Sequence, residues 1–206
     1  MYFVKNPAWL RLLYPNCVWK INTAERVLYL TFDDGPSKET DFVLQQLTSY
    51  HAKATFFCLG QNVVQHRSLF QELISEKHSV GNHTWAHLNG WKTMKELYLE
   101  DIKRASGVIP SKLFRPPYGR ISHKQIDGVK QQGFKILMWS VLSADFDKRI
   151  SPEKCYKNVA MNAFPGAIVL FHDAIHSAAN LRYALPRVLD VFSERGYRFE
   201  AITEDV

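Results

Sequence analysis

The sequence predicts an α/β fold on a mainly parallel sheet. Three observations carry that expectation. Short apolar runs alternate with amphipathic segments along the chain, Gly, Pro or Asp punctuates their ends, and chemically reactive side chains cluster just after the runs. Strands alternating with helices form βαβ units, and parallel α/β folds build their active sites at the carboxyl ends of strands, most consistently in barrels. Pattern alone leaves a barrel and an open sheet both available.

The elements follow in order. Val27-Leu28-Tyr29-Leu30-Thr31-Phe32 is short, β-rich and ended by Asp-Gly-Pro, as a buried strand would be. Residues 39–50 follow a helical period, with Phe42, Val43, Leu47 and Tyr50 on one face. Residues 54–59 read as a strand, 68–77 as a helix and 79–81 as a short strand. Residues 93–106 read as a helix opened by a capping box of Thr93 and Glu96. Residues 112–115 form a strand stopped by Pro116-Pro117, 121–132 a helix closed by Gly133, and 134–139 a strand. Ser151-Pro152-Glu153 starts a helix with Pro in its first turn. Residues 167–171 are a fully apolar strand, 181–194 a helix ended by Gly196, and 197–201 a last strand. The strands number about seven.

With 206 residues the chain can bury roughly 70% of its unfolded surface in a single domain spanning 1–206. Within it, the aromatic-rich residues 1–24 are expected to act as an N-terminal cover. A net charge of +6 is compatible with anionic partners, but the Lys and Arg residues are scattered rather than striped. That distribution argues against nucleic-acid binding, which would call for a basic stripe interleaved with aromatics. Cys17, Cys58 and Cys155 form no disulfide framework, and Cys58 lies in an apolar run as a core residue would. The apolar stretch 8–14 is broken by Arg11 and is far too short for a membrane span. With no signal-peptide pattern, a cytoplasmic location is the expectation and peripheral attachment to the cell envelope the alternative. A monomer is expected.

The chemistry lies in a few motifs. Thr31-Phe32-Asp33-Asp34-Gly35-Pro36 puts two adjacent carboxylates at a strand end, where successive side chains diverge and can serve one pocket from different angles. His83 and His87 are four apart and would share one face if helical. One Asp and two His can hold a divalent cation with positions left open, while the second Asp stays free to take a proton. Each motif alone has a plain structural alternative, an Asp-Gly-Pro turn or a pair of surface histidines; at successive strand ends the two reinforce each other. Arg115-Pro116-Pro117-Tyr118-Gly119 supplies a guanidinium able to orient a carboxylate and a stiff loop whose Tyr118 N–H can face an oxyanion. His172, after Leu170-Phe171, can donate a proton to a leaving amine.

In this order the motifs resemble those of the polysaccharide deacetylase family, the NodB homology domain of carbohydrate esterase family 4. Thr31 to Pro36, His83 to His87, Arg115 to Tyr118, Asp145 with Phe146, and Leu170 to His172 carry the likeness across most of the chain. The resemblance implies a distorted (β/α) barrel with about seven strands. It also implies Asp34, His83 and His87 as ligands of one divalent metal, usually zinc, with cobalt or nickel as alternatives. Asp33 would be the general base and His172 the general acid. Tyr118 would give its backbone N–H to the oxyanion, and Arg115 would hold Asp33. Asp145 would orient Arg115 or tune His172, and Leu170 would receive the acetyl methyl. Phe146 stands where the family commonly has a Trp that walls the sugar groove, so the groove's shape is the open point.

The implied reaction removes N-acetyl groups from an N-acetylglucosamine-containing glycan or glycolipid precursor. The alternatives are an O-acetyl ester such as acetylated xylan, or a small amide. A non-catalytic glycan-binding relative would be expected to have a broken set of key residues, whereas Asp33, Asp34, His83, His87 and His172 are all present here. Trp85, Trp91, Tyr118 and Phe146 are candidates to stack on sugars or to pack at the barrel mouth. His176, four residues after His172, lies outside the motifs.

Overall fold

The computed structural model describes residues 2–206. Nine strands run in chain order: β1 Cys17–Val18, β2 Val27–Asp33, β3 Thr55–Cys58, β4 Ser79–Asn82, β5 Leu113–Phe114, β6 Lys135–Leu137, β7 Val141–Leu142, β8 Ile168–His172 and β9 Arg198–Phe199. The helices are α1 Ala8–Leu13, α2 Lys38–Ser49, α3 Gly60–Gln65, α4 Arg67–Ser75, α5 Lys95–Ser106, α6 His123–Gln131, α7 Pro152–Ala160 and α8 Ala178–Glu194.

The strand pairs of the sheet are parallel, in the order β1-β6-β5-β4-β3-β2-β8-β7, with β9 alongside β2. The sheet curls into a half-barrel with helices around it, the distorted barrel expected from the motifs. Two of the nine strands, β1 and β7, are not foreseen by periodicity. Each is two residues long and is defined by its partner rather than by its own pattern. Within the described residues of the N-terminal segment, β1 pairs with β6 as part of the sheet. Antiparallel bridges Lys5–Val141 and Lys20–Ala167 tie this segment to the strands at the opposite edge. The short helix α1 contributes no buried residue.

The central strands are buried on both faces, as parallel sheets require. Phe32 stacks on Phe56 with ring centroids 5.0 Å apart and on Phe171 at 6.0 Å, and all three are fully buried. Burial of each such side chain stabilises the fold by roughly 1.5–3 kcal/mol. All three cysteines are buried and unpaired, Cys58 among the core residues.

The helix starts shift from expectation, α6 to His123 from 121 and two others as follows. α5 begins at Lys95, and its N-cap Met94 makes no side-chain cap; the Thr93 hydroxyl instead donates to the Asn89 carbonyl at 2.9 Å, so the Thr93–Glu96 capping box does not form. α8 starts at Ala178, three residues before the apolar period begins at Leu181. The capping boxes that do form are Ser37 with Thr40 at α2 and Ser122 with Gln125 at α6.

Candidate active site

β2 ends at Asp33 in register with Phe57 of β3 and His172 of β8, so parallel pairing brings the motif-bearing ends of β2 and β8 together. The turn after β2 crowds against β8: a Cβ on Gly35 would lie 2.1 Å from the Asp173 carboxylate, so no larger residue fits there. Left-handed backbone at non-glycine residues clusters at the same end of the sheet, at Asp34, Thr84, His87, Tyr118 and Ala144. Such residues persist only where their surroundings over-determine them.

The histidine motif is not a helix. Residues 83–89 form an irregular loop in which Thr84 and His87 are left-handed, with φ of 70° and 58°. Side chains that sequence reasoning passed over hold this loop. Asn82 Oδ1 accepts from the Thr84 N–H at 2.8 Å, and Asp101 Oδ2 accepts from the N–H groups of Trp85 and Ala86 at 2.8 and 3.1 Å. Asp101 lies on α5, so its role is visible only after α5 docks.

The loop brings both imidazoles to Asp34. His87 Nε2 lies 3.1 Å and His83 Nε2 3.5 Å from Asp34 Oδ1, and one ligand atom from each of the three residues falls within 4.8 Å of the others. The Arg115 carbonyl lies 2.7 Å from His83 Nδ1, which carries the proton in this bond and turns the Nε2 lone pair toward the cluster. Asp34 Oδ1 is buried and has no hydrogen-bond partner among the described residues. An unsatisfied carboxylate oxygen facing two imidazole nitrogens suits a cation. Tetrahedral ligands about 2.1 Å from one ion would stand roughly 3.4 Å apart, close to the two separations seen. Burial works against the Asp34 charge, but the close imidazoles of His83 and His87 and the nearby His172 outweigh it and hold the carboxyl well below the usual carboxylate range.

Asp33 divides its carboxylate, with Oδ2 3.7 Å from His83 Nε2 and Oδ1 turned to Arg115. Arg115 Nη1 donates to its Oδ1 at 2.8 Å and also to Thr31 Oγ1 at 2.7 Å. Arg115 is completely buried and is held by the carbonyls of Leu137 and Met138, with the Phe57 ring 4.1 Å from its guanidinium carbon. Of the two expected roles for Asp145, the structure displays one. Asp145 accepts from His172 Nδ1 at 2.8 Å and from the His172 N–H at 2.7 Å, and its hydrogen bonds do not reach Arg115. Its loop is tied by Asn180 to the Asp145 carbonyl at 3.0 Å and by Asn158 to the Ser143 carbonyl at 2.9 Å. Burial lowers the pKa of His172, but Asp145 first, with Asp34 and Asp33 behind it, pushes it up to about 9.

Asp33, Asp34, His83, His87 and His172 share a cleft of about 660 Å³, lined also by Tyr118, Leu170, Trp139 and Phe146, with Arg115 and Asp145 buried behind them. The bonds of the Pro117–Gly119 turn run from the Gly119 N–H to Pro116 and from the Arg120 N–H to Pro117, which leaves the Tyr118 N–H outside them. A Cβ on Gly119 would approach the Trp139 ring to 2.7 Å, so this glycine permits the turn to lie against the cleft wall. Leu170 packs with Leu142 and Ala144 beneath Trp139 and Phe146. Phe146 sits edge-on to His172 at 5.3 Å and to Tyr2 at 5.6 Å. Trp85 faces Arg104 at 4.0 Å and does not line the cleft, whereas Trp91 is 62% exposed. His176 does line it, with its Nε2 3.9 Å from Asp34 Oδ2. Its only sequence signal is its distance from His172. A second hollow of about 970 Å³ opens on the far side of Asp34 and His176.

Residues 20–137 match the family profile described as polysaccharide deacetylase. The chain belongs to the polysaccharide deacetylase family. A peptidoglycan-N-acetylglucosamine deacetylase of Bacillus cereus is 36% identical over 82% of this chain, which spans 64% of that relative's length. A second Bacillus cereus protein of that description is 33% identical over 90% of this chain and 91% of its own length. Among solved structures, a peptidoglycan N-acetylglucosamine deacetylase bound to an N-oxidanyl-benzamide superposes with a TM-score of 0.86 at 29% identity, covering 96% of this chain and 95% of that one. Among the described residues of this polysaccharide deacetylase chain, no helix is long and apolar enough to cross a membrane.

Proposed function

We propose that this chain hydrolyses N-acetyl groups on an N-acetylglucosamine-containing glycan, with Asp34, His83 and His87 holding one divalent metal, zinc in first place. The observation that carries this reading is the single cleft in which the Asp34–His83–His87 cluster lies beside the Asp33–Arg115 pair and the Asp145–His172 pair. When bound, the metal would supply Lewis acidity toward the acetyl carbonyl and the attacking water.

The residues divide the remaining work. Asp33, oriented by Arg115, takes a proton from the attacking water as the water oxygen bonds to the acetyl carbon. The Tyr118 N–H stabilises the oxyanion that results. His172, protonated and aligned by Asp145, gives its proton to the nitrogen as the C–N bond breaks, releasing acetate and a free amino sugar. Leu170 receives the acetyl methyl, and Phe146 walls the sugar groove in place of the family's usual Trp. His176 closes the site on the side of the second hollow.

The direct test is acetate release by chelated protein before and after zinc, cobalt or nickel is added back, on N-acetylglucosamine oligomers, peptidoglycan fragments and acetylated xylan. Metal-dependent acetate from the N-acetyl substrates is expected. Acetate from xylan alone would make the chain an ester hydrolase, and no acetate from any substrate would remove the reading.

The pH dependence has a definite sign. His172 acts as an acid only while protonated, so activity is expected to persist through neutrality and to fall as pH rises through about 9. In Asp145→Asn the largest upward influence is gone and burial dominates, so the alkaline limb moves to lower pH. The same raised pKa stabilises the fold fully below His172's ordinary value of 6.5, and that contribution is lost as pH rises through about 9. Initial rates and thermal unfolding across pH check both statements; an unmoved limb in Asp145→Asn would detach Asp145 from the acid.

A further inference from the structure

Beyond the reacting groups, Tyr118 and Arg120 line the cleft, and Arg120 lies between the Tyr118 ring and the exposed Trp91 ring just outside that lining. The Tyr118 ring lies 4.5 Å from His87 and is 59% exposed. The Arg120 guanidinium lies 5.9 Å from the Tyr118 ring and 5.3 Å from the Trp91 ring. Isolated exposed apolar residues need no explanation, but Trp91 is held outward by a built support. Its turn, Gly90–Lys92, is capped by Asn89 Oδ1 accepting from the Trp91 N–H at 3.1 Å. Gln125 Nε2 ties the Gly90 and Thr93 carbonyls to α6 at 2.8 and 3.0 Å, and the indole N–H donates to the Ile121 carbonyl at 3.3 Å.

Charge distinguishes Arg120 from its neighbours. Arg115, buried behind Asp33, and Arg149, which lines the cleft, each hold a carboxylate at 2.8 Å. Among the described residues no ion pair links Arg120 to a carboxylate, and its close partners are the two rings. Stacking on aromatics leaves the guanidinium edge, with its fork of N–H donors, directed away from the rings and available to a planar anion.

We propose that Trp91, Arg120 and Tyr118 form a subsite for the sugar adjoining the one that loses its acetyl group, and that Arg120 selects a neighbour bearing a carboxylate. This rests on the glycan-deacetylase reading and deepens it. The rings take the apolar face of a pyranose and Arg120 takes the acid. The favoured substrate is then a glycan in which acetamido sugars alternate with carboxylate-bearing sugars, in preference to a neutral homopolymer.

The test compares wild type, Arg120→Gln and Trp91→Ala on two soluble tetrasaccharides: a peptidoglycan-derived one carrying lactyl carboxylates, and the neutral N-acetylglucosamine tetramer. Circular dichroism verifies that each variant is folded. Arg120→Gln is expected to raise KM roughly tenfold for the acidic substrate, with kcat unchanged, and to leave the neutral one untouched. Trp91→Ala should raise KM for both. High salt should shrink the wild-type preference toward that of Arg120→Gln. An equal effect of Arg120→Gln on both substrates, or none on either, overturns the proposal while the deacetylase reading stands. If metal-loaded wild type releases acetate from neither, that reading fails. Calorimetric titration with the same two tetrasaccharides then decides the subsite: weaker binding of the acidic one alone in Arg120→Gln upholds it, and unchanged binding overturns it.

Discussion

Asp33→Asn is expected to lower the rate of acetate release by roughly 10²- to 10⁴-fold, the contribution typical of a positioned general base. The substitution is nearly isosteric, and the Asn carbonyl oxygen can still accept from Arg115 Nη1, which lies 2.8 Å from the present carboxylate. The loss should therefore fall on kcat, with substrate affinity and metal content retained. Acetate release under saturating and limiting substrate, with metal content measured on the same samples, separates these effects. A kcat within a few-fold of wild type would take Asp33 out of the proton transfer and leave only its ion pair.

Arg115→Met is expected to cost the most stability of any single change at the site. Arg115 is fully buried and its donors reach Asp33, Thr31 and the carbonyls of Leu137 and Met138. Methionine fills much of the volume but leaves a buried carboxylate and two carbonyls without these donors. Removing one partner of a buried pair costs about 3–5 kcal/mol because the other charge stays behind uncompensated. For a chain of this size that corresponds to a fall in Tm of roughly 6–20 °C. A double variant, Arg115→Met with Asp33→Asn, should recover part of the loss, because the stranded charge is then gone. Urea unfolding of the two single variants and the double closes the cycle. A cost below about 1 kcal/mol for Arg115→Met would mean that water reaches Asp33 and that the pair is not closed off from solvent.

The two predictions separate because Asp33 and Asp34, though adjacent, face different partners. Asp33 is 3% exposed and locked to Arg115, while Asp34 adopts a left-handed backbone that turns its carboxylate to the imidazoles. The Gly35 turn makes that divergence possible by passing within van der Waals reach of Asp173, where any side chain would collide.

What the sequence determined by itself is the alternation of most strands and helices and which side chains stand at the strand ends. Val27 to Phe32 and the fully apolar run 167–171 declare buried parallel strands, and punctuation after them marks where loops begin. Asp33, Asp34, His83, His87, Arg115 and His172 could be read because residue type and position relative to a strand end are local properties. Tertiary structure decided which groups meet. β1 and β7 are strands only because a partner pairs with them. The His83–His87 motif looks helical by spacing, yet its loop is shaped by Asp101, which arrives from α5. Asp145 reaches His172 rather than Arg115 because Asn180 and Asn158 fix its loop. His176 enters the site through the turn before α8. In each case the deciding contact joins residues distant in sequence, and local periodicity carries no record of such a partner until the chain has closed on itself.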